Sequence, residues 1–110
     1  MSQPVDLTNL REMTDGDKDL ETALFQEYFS SSEKLLDELN QAIASDNVEE
    51  WRRAAHALKG TSYNLGAQKL GDYCKAAQEG NLAPKSEKET LYETIASEYE
   101  LVKYYLLQQG

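Results

Sequence analysis

The sequence has few of the residues that build disulfide frameworks or metal sites, and no stretch suited to a membrane. Of its 110 residues, one is cysteine, two are proline and one is histidine. The lone Cys74 has no partner for an internal disulfide, which favours a reducing compartment. No run of about 18 apolar residues is present, so no membrane span is expected. The opening segment MSQPVDLTNL lacks the basic and apolar regions of a signal peptide. We therefore predict a cytoplasmic location, either as a protein or as part of a larger one.

Positive charge is also scarce. The chain has 11 Lys and Arg against 20 Asp and Glu, a net charge of -9. This balance argues against a nucleic-acid partner, because phosphate backbones bind to basic surfaces. The segment from Trp51 to Lys75 is the exception, since Asp72 is its only anion and it contains five cations: Arg52, Arg53, Lys59, Lys69 and Lys75. The only histidine, His56, lies in this cationic segment.

Helical periodicity dominates the rest of the sequence. Pro4 and Pro84 lie outside the helical segments, and no strand pattern of useful length occurs. Apolar residues spaced by three and four predict a short leading helix and then four substantial ones. The connections are short, so sequential helices should be antiparallel neighbours. We predict an all-α fold: an up-down-up-down antiparallel four-helix bundle with a short extra N-terminal helix, forming a single domain over residues 1–110.

Helix boundaries are predicted from capping residues. Gly66 has the residue type that ends a helix in the left-handed conformation. The predicted N-terminal caps are Asp6, Asp17, Asp46 in a capping box with Glu49, and Ser86 in a capping box with Glu89.

His56 lies away from the predicted core face of its helix. That face consists of Val48, Trp51, Ala55, Leu58, Ser62 and Leu65. One residue beyond Ala55, His56 is turned about 100° around the helix. Its own side of the helix also carries Arg52, Lys59, Gly60 and Tyr63.

The neighbours of His56 suggest phosphoryl chemistry with a large partner. Gly60 costs an interior helix position about 1 kcal/mol relative to alanine, and nothing in the local sequence demands a bend. A glycine beside the imidazole leaves space for a partner, and Lys59 adds an ammonium group. A neutral imidazole offers a nucleophilic nitrogen. The chain lacks a glycine-rich phosphate loop and paired carboxylates suited to Mg²⁺, so the partner must supply those elements.

These residues resemble the signature of histidine-containing phosphotransfer domains of two-component phosphorelays. The family pattern is roughly His-x-Leu-Lys-Gly-x-Ser-x-x-Leu-Gly, followed by Leu and Cys on the next helix. The matching residues are His56, Leu58, Lys59, Gly60, Ser62, Leu65, Gly66, Leu70 and Cys74.

The resemblance implies a phosphohistidine carrier with no kinase activity or ATP site of its own. His56 would accept a phosphoryl group on its distal ring nitrogen from a receiver-domain aspartate and pass it to another receiver. Lys59 would stabilise the phosphoryl group, Gly60 would give the receiver access, and Gln78 would contact the imidazole or the phosphoryl group. The receiver would carry the Mg²⁺, so the chain would need no cofactor of its own. We expect a monomer that contacts neither nucleic acid nor membrane.

Further residues are assigned to docking or packing. Arg52, Arg53 and Tyr63 are candidate receiver contacts, whereas Ser62 and Cys74 are predicted to pack inside the bundle. Three aromatic residues exceed what one narrow core stripe needs, and some are expected to be exposed for docking: Phe25, Tyr28 and Phe29.

Three other functions suit a small helical bundle. A metal or haem bundle would need several inward ligands, and the chain has one histidine and one cysteine. A kinase dimerisation segment would precede an ATP-binding domain, which this sequence lacks. A non-catalytic helical adaptor that binds signalling partners stays open, although the presence of His56, Lys59 and Gly60 weighs against it.

Overall fold

The computed structural model describes residues 3–109, and in that range all regular structure is helical. The helices are α1 (Thr8–Thr14), α2 (Lys18–Ser45), α3 (Val48–Leu65), α4 (Gln68–Glu79) and α5 (Lys85–Leu107). The all-α fold class and the short leading helix are as predicted. The domain predicted over 1–110 begins and ends outside the described residues.

The four longer helices form a closed bundle. Helix α2 packs against α3 and α5, α4 packs against the same two helices, and α1 lies on α2. Sequential helices are joined by residues 46–47, 66–67 and 80–84. Such short connections make sequential helices antiparallel neighbours. The 28 residues of α2 span about 42 Å at the usual helical rise, close to the 44 Å long axis of the molecule. The up-down-up-down arrangement is therefore confirmed.

The three aromatic residues of α2 are buried, so the prediction that some are exposed for docking is wrong. Phe25, Tyr28 and Phe29 are 7%, 6% and 7% exposed. The reason is that α2 contacts three helices, α1, α3 and α5, and needs a wide apolar face. The hydroxyl of Tyr28 lies 3.1 Å from that of Ser62 on α3, and its ring centre lies 6.1 Å from that of Tyr99 on α5.

The turn between α2 and α3 differs from the predicted capping box. Asp46 is the C-cap of α2 in the left-handed conformation, with φ of 55°. Asn47 caps α3 instead, and its side-chain oxygen accepts a hydrogen bond of 3.1 Å from the N–H of Glu50. The prediction that Asp46 caps α3 is wrong because a two-residue connection already uses Asp46 to end the preceding helix.

Of the other three predicted N-terminal caps, one is confirmed and two are wrong. Asp17 caps α2 as predicted, through a 3.1 Å hydrogen bond from the N–H of Leu20. The prediction that Asp6 caps α1 is wrong, because Leu7 is the N-cap residue. Asp6 precedes it and accepts a 3.0 Å hydrogen bond from the N–H of Thr8. The Ser86 capping box is wrong, because α5 begins at Lys85 and places Ser86 inside its first turn. The fixed φ of the preceding Pro84 starts the helix without a side-chain cap.

Gly66 forms the corner between α3 and α4, as predicted. Its φ of 103° is in the left-handed region, and its N–H donates to the carbonyls of Ser62 and Tyr63. Its own carbonyl accepts a 2.9 Å hydrogen bond from the N–H of Asp6. A Cβ at this position would overlap the Asp6 carbonyl oxygen. Glycine is thus required both for the turn and for the N-terminal segment that covers it, where Val5 is 1% exposed.

Candidate functional site

His56 lies on the outer surface of α3, as the helical pattern predicts. Ala55 and Leu58 on the same helix are fully buried, whereas His56 is exposed. Within residues 3–109, the imidazole has neither a side-chain hydrogen bond nor an ion pair. The ring therefore has no hydrogen bond or ion pair to break when a partner approaches.

Gly60, one turn after His56, has open space where its side chain would be. A Cβ at this position meets no heavy atom within 4 Å. Its backbone is helical and not left-handed, so the fold itself does not require glycine. Helix propensity favours alanine here by about 1 kcal/mol. Alanine would thus make the helix more stable at this position, yet the residue beside the histidine is glycine.

Lys59 brings an uncompensated positive charge to the same surface. Its side chain is half-buried and forms no ion pair with any residue of the described range. Residues three apart on a helix have Cβ atoms about 5–6 Å apart, so the ammonium is within reach of a group bound to His56.

The two arginines predicted as docking residues are ion-paired. Arg52 binds Glu49 at 3.1 Å within α3. Arg53 binds Glu50 at 2.8 Å and also reaches Glu38 of α2. The hydrogen bonds that Arg53 donates to Glu50 and Glu38 raise the pKa of Arg53 above its already high ordinary value. Arg53 thereby connects α2 to α3, and its charge is largely compensated.

Tyr63 joins α3 to α4 at the far end of the same surface. Its hydroxyl donates a 2.7 Å hydrogen bond to Asp72, which raises the pKa of Tyr63 to about 12 because the carboxylate favours the protonated phenol. A Cβ at Gly71 would overlap the Tyr63 ring, so this glycine lets the ring lie against α4. The side-chain amide of Gln68 donates a 3.2 Å hydrogen bond to the same carboxylate oxygen of Asp72. Sequence analysis missed Gly71 and Asp72, although a glycine inside a helix is a detectable signal.

Gln78 lies near the C-terminal end of α4, next to a residue that contacts α3. The carbonyl of Ala77 accepts a 2.8 Å hydrogen bond from the indole N–H of Trp51 on α3. The side chain of Gln78 is half-buried, and in the described part of the chain no hydrogen bond joins it to His56. Its amide is therefore free for a ligand.

Ser62 and Cys74 have the packing positions predicted for them. Both are fully buried. The hydroxyl of Ser62 pairs with that of Tyr28 and links α3 to α2. Burial raises the pKa of Cys74 to about 12, so its thiolate form is disfavoured and the residue acts as a small apolar side chain.

Two kinds of site are not found in the described residues. Residues 3–109 contain no group of three or more His, Cys, Asp and Glu side chains that would hold a metal ion. No helix in the same range is long and apolar enough to cross a membrane.

The comparison with protein families decides the identity of the bundle. A family model for the Hpt domain matches residues 23–104, which include most of α2, all of α3 and α4, and most of α5. The chain belongs to the Hpt domain family. Histidine phosphotransfer in a two-component phosphorelay is therefore the function of this Hpt domain, as the residues around His56 predict.

The structure of this Hpt domain is similar to a solved one. The crystal structure of histidine-containing phosphotransfer protein B (HptB) from Pseudomonas aeruginosa PAO1 matches with a TM-score of 0.87 and 25% sequence identity. The match covers 99% of this chain and 96% of that chain. A comparison with curated protein sequences gives no match. The likeness includes α1, which lies outside the family match.

Proposed function

We propose that His56 carries the phosphoryl group in this Hpt domain. The observation that carries the proposal is that the only histidine of the chain is exposed and without a structural partner in residues 3–109. A phosphohistidine carrier with one histidine has one candidate residue. The open space beside Gly60 and the uncompensated charge of Lys59 support the same assignment.

The chemistry requires a neutral imidazole and an acyl phosphate. The lone pair of Nε2 attacks the phosphorus of an aspartyl phosphate on a receiver domain. The N–P bond forms as the P–O bond to the carboxyl group breaks, and the electron pair leaves on the aspartate carboxylate. The proton on Nδ1 stays on the ring. Transfer to a second receiver is the reverse of this step, with that receiver's aspartate as the nucleophile.

Charge stabilisation is the main contribution that this chain makes to the step. The transferring group spreads negative charge over three oxygens, and enzymes stabilise it by position and electrostatics. We assign Lys59 to those oxygens because its ammonium is uncompensated and one turn from His56. The amide of Gln78, on the neighbouring helix, is assigned to the imidazole or to a phosphoryl oxygen. The Mg²⁺ belongs to the receiver in this scheme, so the chain brings no cofactor of its own.

Receiver docking uses an apolar groove beside the histidine surface, which is the face of α3 that carries His56, Lys59 and Gly60. The groove has a volume of about 270 Å³ and is lined by residues of α1, α2 and α3. Met13, which is 73% exposed, and the half-buried Leu24 form part of its wall. Asn64, four residues after Gly60, lies on its α3 side. The groove takes the docking role that sequence analysis gave to the buried aromatic residues.

Three polar residues complete the proposed docking surface. Arg52 and Arg53 keep 49% and 52% of their side chains exposed despite their ion pairs, so a receiver can contact them. Tyr63 lies two turns from His56 on the same side of α3. A monomeric state and a cytoplasmic location remain predictions from the sequence.

A phosphotransfer assay tests this proposal. The chain is incubated with receiver domains that have been phosphorylated by a small acyl phosphate, and the label is followed. We expect wild type to gain acid-labile, base-stable phosphate and to lose it to a second receiver. His56→Gln should gain none, while its helical signal and unfolding transition match those of wild type. The proposal fails if wild type gains no such phosphate, or if His56→Gln gains as much.

A further inference from the structure

The position of His56 relative to α4 follows from two contacts between α3 and α4. Trp51 hydrogen-bonds to the carbonyl of Ala77, and the ring of Tyr63 lies against Gly71. The two helices are antiparallel, so a move from Trp51 toward Tyr63 corresponds to a move from Ala77 toward Gly71. His56 lies slightly less than halfway along this interval. Both helices rise equally per residue, so the Tyr63–Gly71 contact places His56 level with residue 78 of α4, and the Trp51–Ala77 bond places it level with residue 72. Lys75 lies at the centre of this range.

The contact of Tyr63 with α4 also shows which side of α4 borders the histidine surface. Tyr63 is seven residues after His56 and so on the same face of α3, and it contacts α4 at Gly71. Lys75, four residues after Gly71, lies on the same side of α4. Its neighbour Cys74 is fully buried, whereas Lys75 is exposed. Lys75 is thus an exposed cation on the side and at the level of α4 that border His56.

Two contacts between α2 and α3 give the corresponding level on α2. Tyr28 hydrogen-bonds to Ser62, and Glu38 pairs with Arg53. His56 lies about a third of the way from Arg53 to Ser62. On α2, a third of the way from Glu38 to Tyr28 is at residues 34–35.

Lys34 is the exposed residue at that level of α2. Leu35 is buried in the core, whereas Lys34 is exposed. Lys34 precedes Glu38 by four residues and so shares the side of α2 from which Glu38 reaches Arg53 of α3. The histidine is thus flanked by an exposed lysine on each of the two neighbouring helices.

Both lysines have uncompensated charges. Neither forms an ion pair within residues 3–109. Most carboxylates within four residues of them are already engaged: Glu33 by Lys103 and Tyr99, Glu38 by Arg53, Asp37 by Gln41, and Asp72 by Tyr63 and Gln68. Glu79, four residues after Lys75, is the exception and is exposed. A lysine carries its charge on a flexible four-carbon stem, so each ammonium is able to turn toward an anion at His56.

We propose that Lys34 and Lys75 form, with Lys59, a cationic collar that stabilises the phosphoryl group on His56 from three helices. The inference rests on the proposed function and extends it to two residues outside the α3 motif. A phosphoryl group carries close to two negative charges at neutral pH. The flanking charges favour the phosphohistidine over the free imidazole, and they attract the incoming acyl phosphate. The collar accounts for the location of exposed, uncompensated lysines around the histidine of an acidic chain.

The test replaces each lysine with glutamine, singly and together, and measures the rate of transfer from a phosphorylated receiver and the fraction of phosphohistidine at equilibrium. Each single variant should lower the rate about two- to five-fold, and the double variant more, as expected for partly screened charges. The loss should shrink as salt is raised from about 0.05 M to about 0.5 M, because the screening length shortens. Arginine at either position should restore most of the rate.

A matched control is Lys85→Gln, which removes an exposed lysine at the start of α5 beside the far end of α2. It should transfer like wild type at every salt concentration. The inference is overturned if Lys34→Gln and Lys75→Gln behave like this control, or if their effects do not depend on salt. If wild type itself gains no phosphohistidine, the proposed function fails instead, so the two failures are distinguishable.

Discussion

Replacement of Gly60 should stabilise the protein and at the same time impair its function. Open space surrounds the position of a Cβ at this residue, so alanine adds no clash. Alanine is favoured over glycine by about 1 kcal/mol in a helix interior, partly because the unfolded chain loses freedom. For a domain of this size, that gain raises the Tm by about 4 °C. Gly60→Gln should keep most of the gain and project a longer side chain toward the docked receiver.

Two measurements on the same variants separate stability from transfer. Thermal or denaturant unfolding should show Gly60→Ala and Gly60→Gln to be more stable than wild type. Receiver binding and phosphotransfer should fall with side-chain size, by about ten-fold or more for Gly60→Gln if the obstruction removes 1.4 kcal/mol of docking energy. Ala44→Gln, at an exposed position near the end of α2, is the control for an added glutamine elsewhere and should transfer normally.

Two results would contradict the role proposed for Gly60. A loss of stability in Gly60→Ala would mean that the bundle itself needs glycine, contrary to the space around it. Unchanged receiver binding by Gly60→Gln would mean that the docked partner does not use the space beside His56. The glycine would then have no proposed role, and the helix would carry an unfavourable residue without compensation.

The remaining predictions concern charge, the corner and pH. Lys59→Ala should slow phosphotransfer with an unchanged unfolding midpoint; equal rates would remove Lys59 from the mechanism. Gly66→Ala should lower the unfolding free energy by about 2 kcal/mol or more, because it strains a left-handed residue and displaces Asp6. A stability within experimental error of wild type would show that the turn between α3 and α4 does not require glycine. Hydrogen bonding from Lys103 lowers the pKa of Glu33 below its ordinary 4.5, so its stabilising contribution is full above that value and lost as the pH falls through the lowered pKa. Glu33→Gln should therefore lose less stability than wild type as the pH is lowered, with unfolding followed by circular dichroism. Equal losses of stability in the two proteins would exclude this contribution.

The sequence was sufficient for the architecture because helical periodicity is a strong local signal. The number and order of the helices, the outward position of His56 and the corner at Gly66 could all be predicted from it. The caps were harder, since Asp46 and Asn47 are adjacent and both suit an N-cap. Only the geometry of the turn shows that Asp46 ends one helix and Asn47 begins the next.

Features that depend on how helices pack together could not be predicted in the same way. The burial of Phe25 and Phe29 follows from the contact of α2 with three helices, and a single helical stripe underestimates that surface. The flanking positions of Lys34 and Lys75 depend on the alignment of α2 and α4 with α3. That alignment is fixed by side-chain contacts such as Trp51 with Ala77, which no spacing within one helix reveals.

The most direct test of the central claim is to locate the phosphoryl group. Wild-type protein is phosphorylated by a receiver domain, digested at neutral or alkaline pH to preserve phosphohistidine, and mapped by tandem mass spectrometry. We expect a single modified residue, His56, with the modification lost on acid treatment. A phosphoryl group on a carboxylate, hydroxyl or lysine side chain, with His56 unmodified, would contradict it.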